Sequence, residues 1–253
     1  MSPSKMLTKI NPARAANPYL FSVGLASHDL NFWHALVELS KVRSGEETPL
    51  LSSTEHTVPP NTNICHPTEW HDTVPIICSG WAMSCMPMAD GRQQIFSFLL
   101  PGEIASTALV FGPTAGRLVQ SITNLTYRAF NRSELKAAMS KHPELLEKFS
   151  RVWITERSEI DQLCVDLGRC NGDERVARLI LKLTKKLATR GMVRGQAFDF
   201  PLRQHQIADA TGLTHVHMNR VLISFRRKGL IELDGRMLTI LNAEELYRIA
   251  NMA

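Results

Sequence analysis

The sequence contains no apolar run near the roughly 18 residues that cross a bilayer, and Met1 to Ser22 lack the hydrophobic stretch of a secretory signal. A soluble cytoplasmic protein with no membrane partner is the expectation. Cysteine is scarce: Cys65, Cys78, Cys85, Cys164 and Cys170 are odd in number and form no Cys-x-x-Cys pair. That argues against a disulfide framework or a zinc ribbon and predicts reduced, mostly buried thiols. No Ser-His-Asp arrangement, nucleotide-phosphate loop or paired-carboxylate motif stands out, so the chain is not expected to be an enzyme. Internal repeats and low-complexity tracts are also missing.

What the sequence does have is 253 residues, 44% of them hydrophobic. That suffices for one or two ordinary cores, with two domains the better prior. The net charge of +5 is unevenly spread. Through Gly168 there are 14 Lys/Arg against 16 Asp/Glu, and beyond it 15 against 8. Such asymmetry suggests a phosphate-facing module joined to a neutral one.

Residues 1 to 50 read as an extension of undecided role, with one short amphipathic helix at Phe32 to Leu39. From about residue 51 to 132, short apolar runs alternate with turn formers, among them Pro59-Pro60-Asn61, Ser79-Gly80 and Pro101-Gly102. This pattern predicts an antiparallel β-barrel or roll. Asp90-Gly91, between Trp81 to Met88 and Gln93 to Leu100, reads as a type I′ hairpin.

A helical region follows over 133–168. Ser133 is expected to cap a helix over Glu134 to Lys141, and Pro143 to open a longer one. In that longer helix Leu146, Trp153, Ile160 and Leu167 recur every seven residues, with Phe149 and Leu163 in alternate seam positions. The stripe suits a two-stranded dimer interface. The competing reading is a helix packed on its own barrel, since Ser150 and Glu156 interrupt the second seam. Gly168 to Gly172 reads as the hinge to a domain over 169–253, opened by a helix from Glu174 to Arg190 with Asp173 as its cap.

The stretch from Gln204 to Leu222 carries the function. Two helices crossing through a tight turn need a small residue at their contact, a permissive backbone at the turn and apolar residues inside. Ala208, Gly212, and Ile207, Leu213, Met218 and Val221 meet those needs in order. Thr214 would cap the second helix, leaving His215, Val216, Asn219 and Arg220 outward near its N-terminal half, where a recognition helix meets base edges. Arg220 suits guanine O6 and N7, Asn219 or His215 another base edge, and Val216 a thymine methyl. Arg203, Gln204, Arg226, Arg227 and Lys228 suit phosphates. Asp234-Gly235 reads as a second type I′ turn, making a wing with Arg236 as its backbone contact. The alternative is a small helical hairpin whose charges are merely solvated.

In this order the segments resemble the Crp/Fnr family of transcription regulators over about residues 50 to 245. The likeness is most specific at Asp90 to Glu103 and Gly212 to Arg220. It implies an α+β fold: an N-terminal double-stranded β-helix (cupin-like jelly-roll) sensor domain of cyclic-nucleotide-binding type, a long dimerisation helix and a C-terminal winged helix-turn-helix. It also implies a homodimer reading a near-palindrome in double-stranded DNA. An activating member would also touch RNA polymerase.

The sensory side departs from the family. Ser106-Thr107 stand where cyclic AMP-binding members have Gly-Glu, and Arg117-Leu118 where they have Arg-Ser. Arg117 could hold a phosphate, with Ser106 and Thr107 beside it, but cyclic AMP is not the expected ligand, and an effector, if any, is unknown. The first cysteine, Cys65, lies too far along for the family's iron-sulfur cluster. Cys65, His66, His71, Cys78 and Cys85 match no tight ligand spacing, so no metal site is expected. Cys164 and Cys170 near the hinge could form a redox switch. Three functions compete: a regulator under effector or redox control, a regulator with a degenerate barrel active whenever present, and a ligand-binding signalling module that does not bind DNA.

Overall fold

The computed structural model describes residues 26–40 and 51–251; the remainder of the N-terminal extension lies outside the described residues. The expected early helix is present as α1 (Ala26–Leu39). Phe32 and Leu36 on it are buried, and the Phe32 ring lies 5.6 Å from that of Phe149.

Seven strands then build an antiparallel β-roll. β1 (Ser53–Val58), β7 (Leu125–Asn131) and β3 (Thr73–Ser79) form one sheet in that order. β2 (Asn63–Cys65), β6 (Leu118–Ser121), β4 (Ala82–Pro87) and β5 (Gln93–Leu99) form the other. Val74, Ile76, Val119, Leu125 and Phe130 are buried in one apolar cluster with α1. Burial in β3 is continuous from Val74 to Ile77 rather than alternating, so this strand is covered on both faces. A short α2 (Ala108–Phe111) packs beside β3 and buries Leu109 and Val110.

The β4–β5 hairpin differs from the expected type I′ turn. Gly91 has φ +84° and Asp90 does not have positive φ, so the connection is a longer loop with one left-handed residue. The Asp90 carboxylate fixes it by accepting from the Arg92 backbone N–H at 3.0 Å.

Beyond the roll come α3 (Arg132–Lys141) and α4 (Pro143–Arg169). Pro143 does open α4, but Asn131 rather than Ser133 caps α3, accepting from the backbone of both Ser133 and Glu134. Asn131 wins because its carboxamide oxygen reaches both orphan donors of the first turn.

The expected hinge is narrower than Gly168 to Gly172. α4 runs through Arg169, and α5 (Gly172–Ala188) begins three residues later. Asn171, not Asp173, is its N-cap, in a reciprocal box with Glu174. The helix stops at Ala188, short of Arg190.

β8 (Ala197–Asp199), α6 (Gln204–Thr211), α7 (His215–Arg227), β9 (Ile231–Asp234), β10 (Met237–Ile240) and α8 (Ala243–Ala250) complete the winged unit. Its wing pairs Asp234 with Met237, so the turn residues are Gly235 and Arg236 rather than Asp234 and Gly235. Positive φ at the first of the two is the type II′ arrangement.

One apolar cluster joins the two halves. Trp81, Met83, Cys85, Ile95 and Phe98 of the roll belong to it together with Val176, Ile180, Leu183, Ile207 and Met218 of the winged unit. Burying such large side chains on both sides favours a fixed docking over a loose tether.

Candidate nucleic-acid interface

The turn between α6 and α7 has the chemistry the sequence demands. Gly212 takes φ +63°, a left-handed conformation that favours glycine at the turn. Ala208 is fully buried at the crossing, and Ile207, Met218 and Val221 face inward. Thr214 caps α7 through its hydroxyl, which accepts from the His217 N–H at 3.2 Å. At α6, the Gln206 side chain accepts from the Arg203 N–H at 2.8 Å.

α6 is held against β5, where Gln93 donates to the Asp209 carboxylate at 2.9 Å. α7 is thereby left on the outside. His215, Val216, Asn219 and Arg220 are all exposed, Val216 at 63%. Arg203, Gln204, Arg226, Arg227 and Lys228 are exposed around them. Among the described residues, Arg203, Arg220, Arg226 and Arg227 make no ion pair. Arg236 is exposed and its guanidinium binds Asp199 of β8 at 2.8 Å.

The six-residue dimer stripe is brought together only in part. Leu146 and Trp153 are exposed, Trp153 at 56%, and Ile160 is half-buried. Phe149 is buried instead, packed on Phe32 and Phe111 of its own chain. Leu163 and Leu167 turn toward α5 and β5, lining a cavity with Ile95, Phe98 and Leu179. The reason is rotational: at 100° per residue Phe149, Leu163 and Leu167 fall on the edge that meets the roll and the winged unit. The outward apolar face is made of Leu146, Trp153, Ile154 and Val165, continued by Phe111, whose ring lies 6.3 Å from that of Trp153. Ile154, Val165 and Phe111 escape a strict seven-residue count because the exposed face is wider than one seam.

The ionisable groups between the halves are paired. Glu103 of the roll accepts from Lys186 at 2.8 Å and from Arg190 at 2.7 Å, and all three side chains are buried. Burial alone would lower the Lys186 ammonium, but Glu103 and Glu159 outweigh it and hold its pKa up. Burial alone would raise Glu159, yet Lys182, Lys186 and Arg190 hold its carboxyl down to about 2. Lys182 binds it at 2.9 Å.

The three residues expected to bind an effector are likewise occupied. Ser106 donates to the Ala115 carbonyl at 2.7 Å, Thr107 donates to the Glu156 carboxylate, and Arg117 binds Glu156 at 3.2 Å. Of the thiols, burial pushes Cys65 up to about 12 and Cys85, with Asp209 adding to the effect, up to about 11. Cys164 is exposed and Cys170 buried. The described residues contain no group of three His, Cys, Asp or Glu placed to hold a metal ion.

A β-roll joined by a long helix to a winged helix-turn-helix with a free basic face defines a DNA-binding transcription regulator rather than an enzyme. Comparison with known proteins agrees. The Crp-like helix-turn-helix domain matches residues 174–249. The chain is 27% identical over 168 residues, 65% of its length and 67% of the relative's, to the transcriptional activator protein FnrL of Cereibacter sphaeroides. It is 28% identical over 184 residues, 71% of its length and 80% of the relative's, to the CRP-like cAMP-activated global transcriptional regulator of Mycobacterium tuberculosis. The solved structure of FixK2 from Bradyrhizobium japonicum superposes with a TM-score of 0.73 at 25% identity, covering 80% of this chain and all of that one. Residues 174–249 thus match a Crp-like helix-turn-helix domain, and the chain as a whole is similar to transcription regulators of the Crp/Fnr type.

Proposed function

We propose that the chain acts as a homodimer in the cytoplasm, placing two copies of α7 in successive major grooves of a near-palindromic site. The observation that carries this is the asymmetry of the two helices: α6 is buried against the roll, while α7 presents His215, Val216, Asn219 and an unpaired Arg220 to solvent. Arg220 reads a guanine in bidentate fashion, Asn219 or His215 a neighbouring base edge, and Val216 a thymine methyl. Thr214 sets the helix start, and Arg203, Gln204, Arg226, Arg227 and Lys228 hold phosphates. Arg236 acts chiefly within the wing.

The second copy covers Leu146, Trp153, Ile154, Val165 and Phe111, an apolar surface of the kind that marks an interface. Ile160 lies at its edge. Of the other residues expected there, Phe149 is buried in its own chain, whereas Leu163 and Leu167 are half-buried. Control by a small effector or a redox signal at the roll belongs to the same reading. The alternative, a reader active without any effector, is favoured by the engagement of Arg117 by Glu156. RNA polymerase is the further partner that activation would require.

Selection of duplex DNA from a random pool, with wild type and Arg220→Ala compared at two salt concentrations, tests the reading. A palindromic site lost in the variant is the expected result. Enrichment unchanged by Arg220→Ala would remove the arginine from its role, and no enrichment from wild type would remove the function.

A further inference from the structure

Ser106, Thr107 and Arg117, the residues of the roll expected to meet a phosphate-bearing ligand, are all engaged by the chain itself. Arg117 is the only cation among the three residues concerned, and Glu156, from the middle of α4, binds it at 3.2 Å. The other carboxylate oxygen of Glu156 accepts from Thr107. Ser106 faces away from this pair, toward Ala115. The Arg117 guanidinium also lies 4.7 Å from the centre of the Phe96 ring, which fixes its plane. One carboxylate thus takes a guanidinium on one oxygen and a hydroxyl on the other, the arrangement a bound anion would adopt.

The space left supports the same conclusion. The cavity beside Thr107 and Glu156, walled by Ser84, Ser97, Thr155 and Glu159, has a volume of about 50 Å³. That holds a few waters, against the roughly 300 Å³ or more of small-molecule sites. Among the described residues the cation that lines it is Lys186, and it is bound to Glu103.

We propose that Glu156 is a built-in ligand of the sensor roll: its carboxylate takes the anion position formed by Arg117 and Thr107, so the protein reads DNA without a phosphate-bearing effector. This rests on the DNA-reading function above and assigns its mode of control. α4 carries both Glu156 and the exposed apolar face, so the contact pins that face in one orientation relative to the roll. In a protein where an anion must arrive from solution, the same pinning is conditional. Here it is covalently supplied.

The test compares full-length wild type, Glu156→Ala and the double variant Glu156→Ala/Arg117→Ala at fixed ionic strength. Thermal unfolding is followed with sodium formate, inorganic phosphate or cyclic AMP added. Wild type is expected to be indifferent to all three. Glu156→Ala is expected to gain a midpoint rise with formate and phosphate, because ligand binding to the folded state stabilises it by mass action. The double variant is expected to lose that rise. Should Glu156→Ala not fold, Glu156→Gln keeps the side-chain length and an acceptor for Thr107 and carries the phosphate arm.

On the selected duplex, wild type is expected to bind at full strength with no additive. Glu156→Ala is expected to bind about tenfold more weakly unless formate is supplied, a coupling of ordinary size between two sites. Equal stabilisation of all three proteins by phosphate would overturn the proposal. So would a roughly tenfold gain in wild-type affinity with cyclic AMP. The unfolding arm contains no DNA, so its failure refutes the built-in ligand alone. Wild type that selects no duplex refutes the reading function instead and leaves the unfolding arm to decide the role of Glu156.

Discussion

Arginines in the two halves of the molecule have opposite surroundings. Arg220 on α7 is exposed and makes no ion pair among the described residues, whereas Arg117 in the roll is bound to Glu156 and Arg190 at the junction is buried against Glu103. Formal charge therefore says little about where a polyanion binds. What matters is whether each cation has been neutralised by its own chain, because a guanidinium already paired must first lose that partner. In the last third Lys182, Lys186, Arg190 and Arg236 are bound to carboxylates, whereas Arg220, Arg226 and Arg227 on α7 make no ion pair among the described residues.

The sharpest way to break this comparison is to release the paired cations. Glu103→Gln leaves Lys186 and Arg190 buried without their carboxylate, and chemical unfolding should show a loss of about 3–5 kcal/mol, the usual cost of removing one partner from a buried pair. A loss well under 1 kcal/mol would mean the junction is far wetter than its geometry implies.

Acid tests the same network through Glu159. Its folded pKa of about 2 lies below the ordinary value, so the ionised carboxylate contributes stability above the unfolded pKa, and that contribution is lost as pH falls through the window from about 4.5 to 2. At roughly 1.4 kcal/mol per unit this amounts to about 3 kcal/mol. Wild type should therefore lose that much more stability than Glu159→Gln between pH 5 and 2, measured by denaturant titration.

Effects at the free face should be smaller in stability and larger in binding. Thr214→Ala removes the cap of α7 and is expected to cost about 1 kcal/mol in unfolding. Arg227→Ala should leave stability unchanged, weaken all duplexes alike and reduce the slope of log affinity against log salt by about 1. A sequence-selective loss from Arg227→Ala would move it from phosphate contact to base reading.

The reading head was legible in the sequence because its constraints are local. The small residue at Ala208, the left-handed glycine at 212 and the hydroxyl at Thr214 sit within seven positions and each has one physical purpose. The helix caps were half-legible. Asn-x-x-Glu occurs at both Asn131 and Asn171, the reciprocal-box spacing, and that signal outranks the nearer Ser133 and Asp173.

The outward face of α4 was not legible from a repeat of seven, since the repeat marks apolar residues without saying which side the roll claims. Phe149 is decided by Phe32, more than a hundred positions earlier. The pairing of Arg117 with Glu156, 39 positions apart, likewise depends on where α4 crosses the roll, a tertiary fact without a local signature.

The tryptophans give this architecture its own optical readout. Trp81 is buried in the cluster that joins the roll to the winged unit, and Trp153 stands exposed on the outer face of α4. Emission from the first senses the seating of one half on the other. Emission from the second senses the arrival of a neighbouring chain. With Trp33 and Trp70 replaced by Phe throughout, and Trp81 and Trp153 silenced in turn by Phe, the remaining signal separates motion inside one subunit from association between two, with no dye attached.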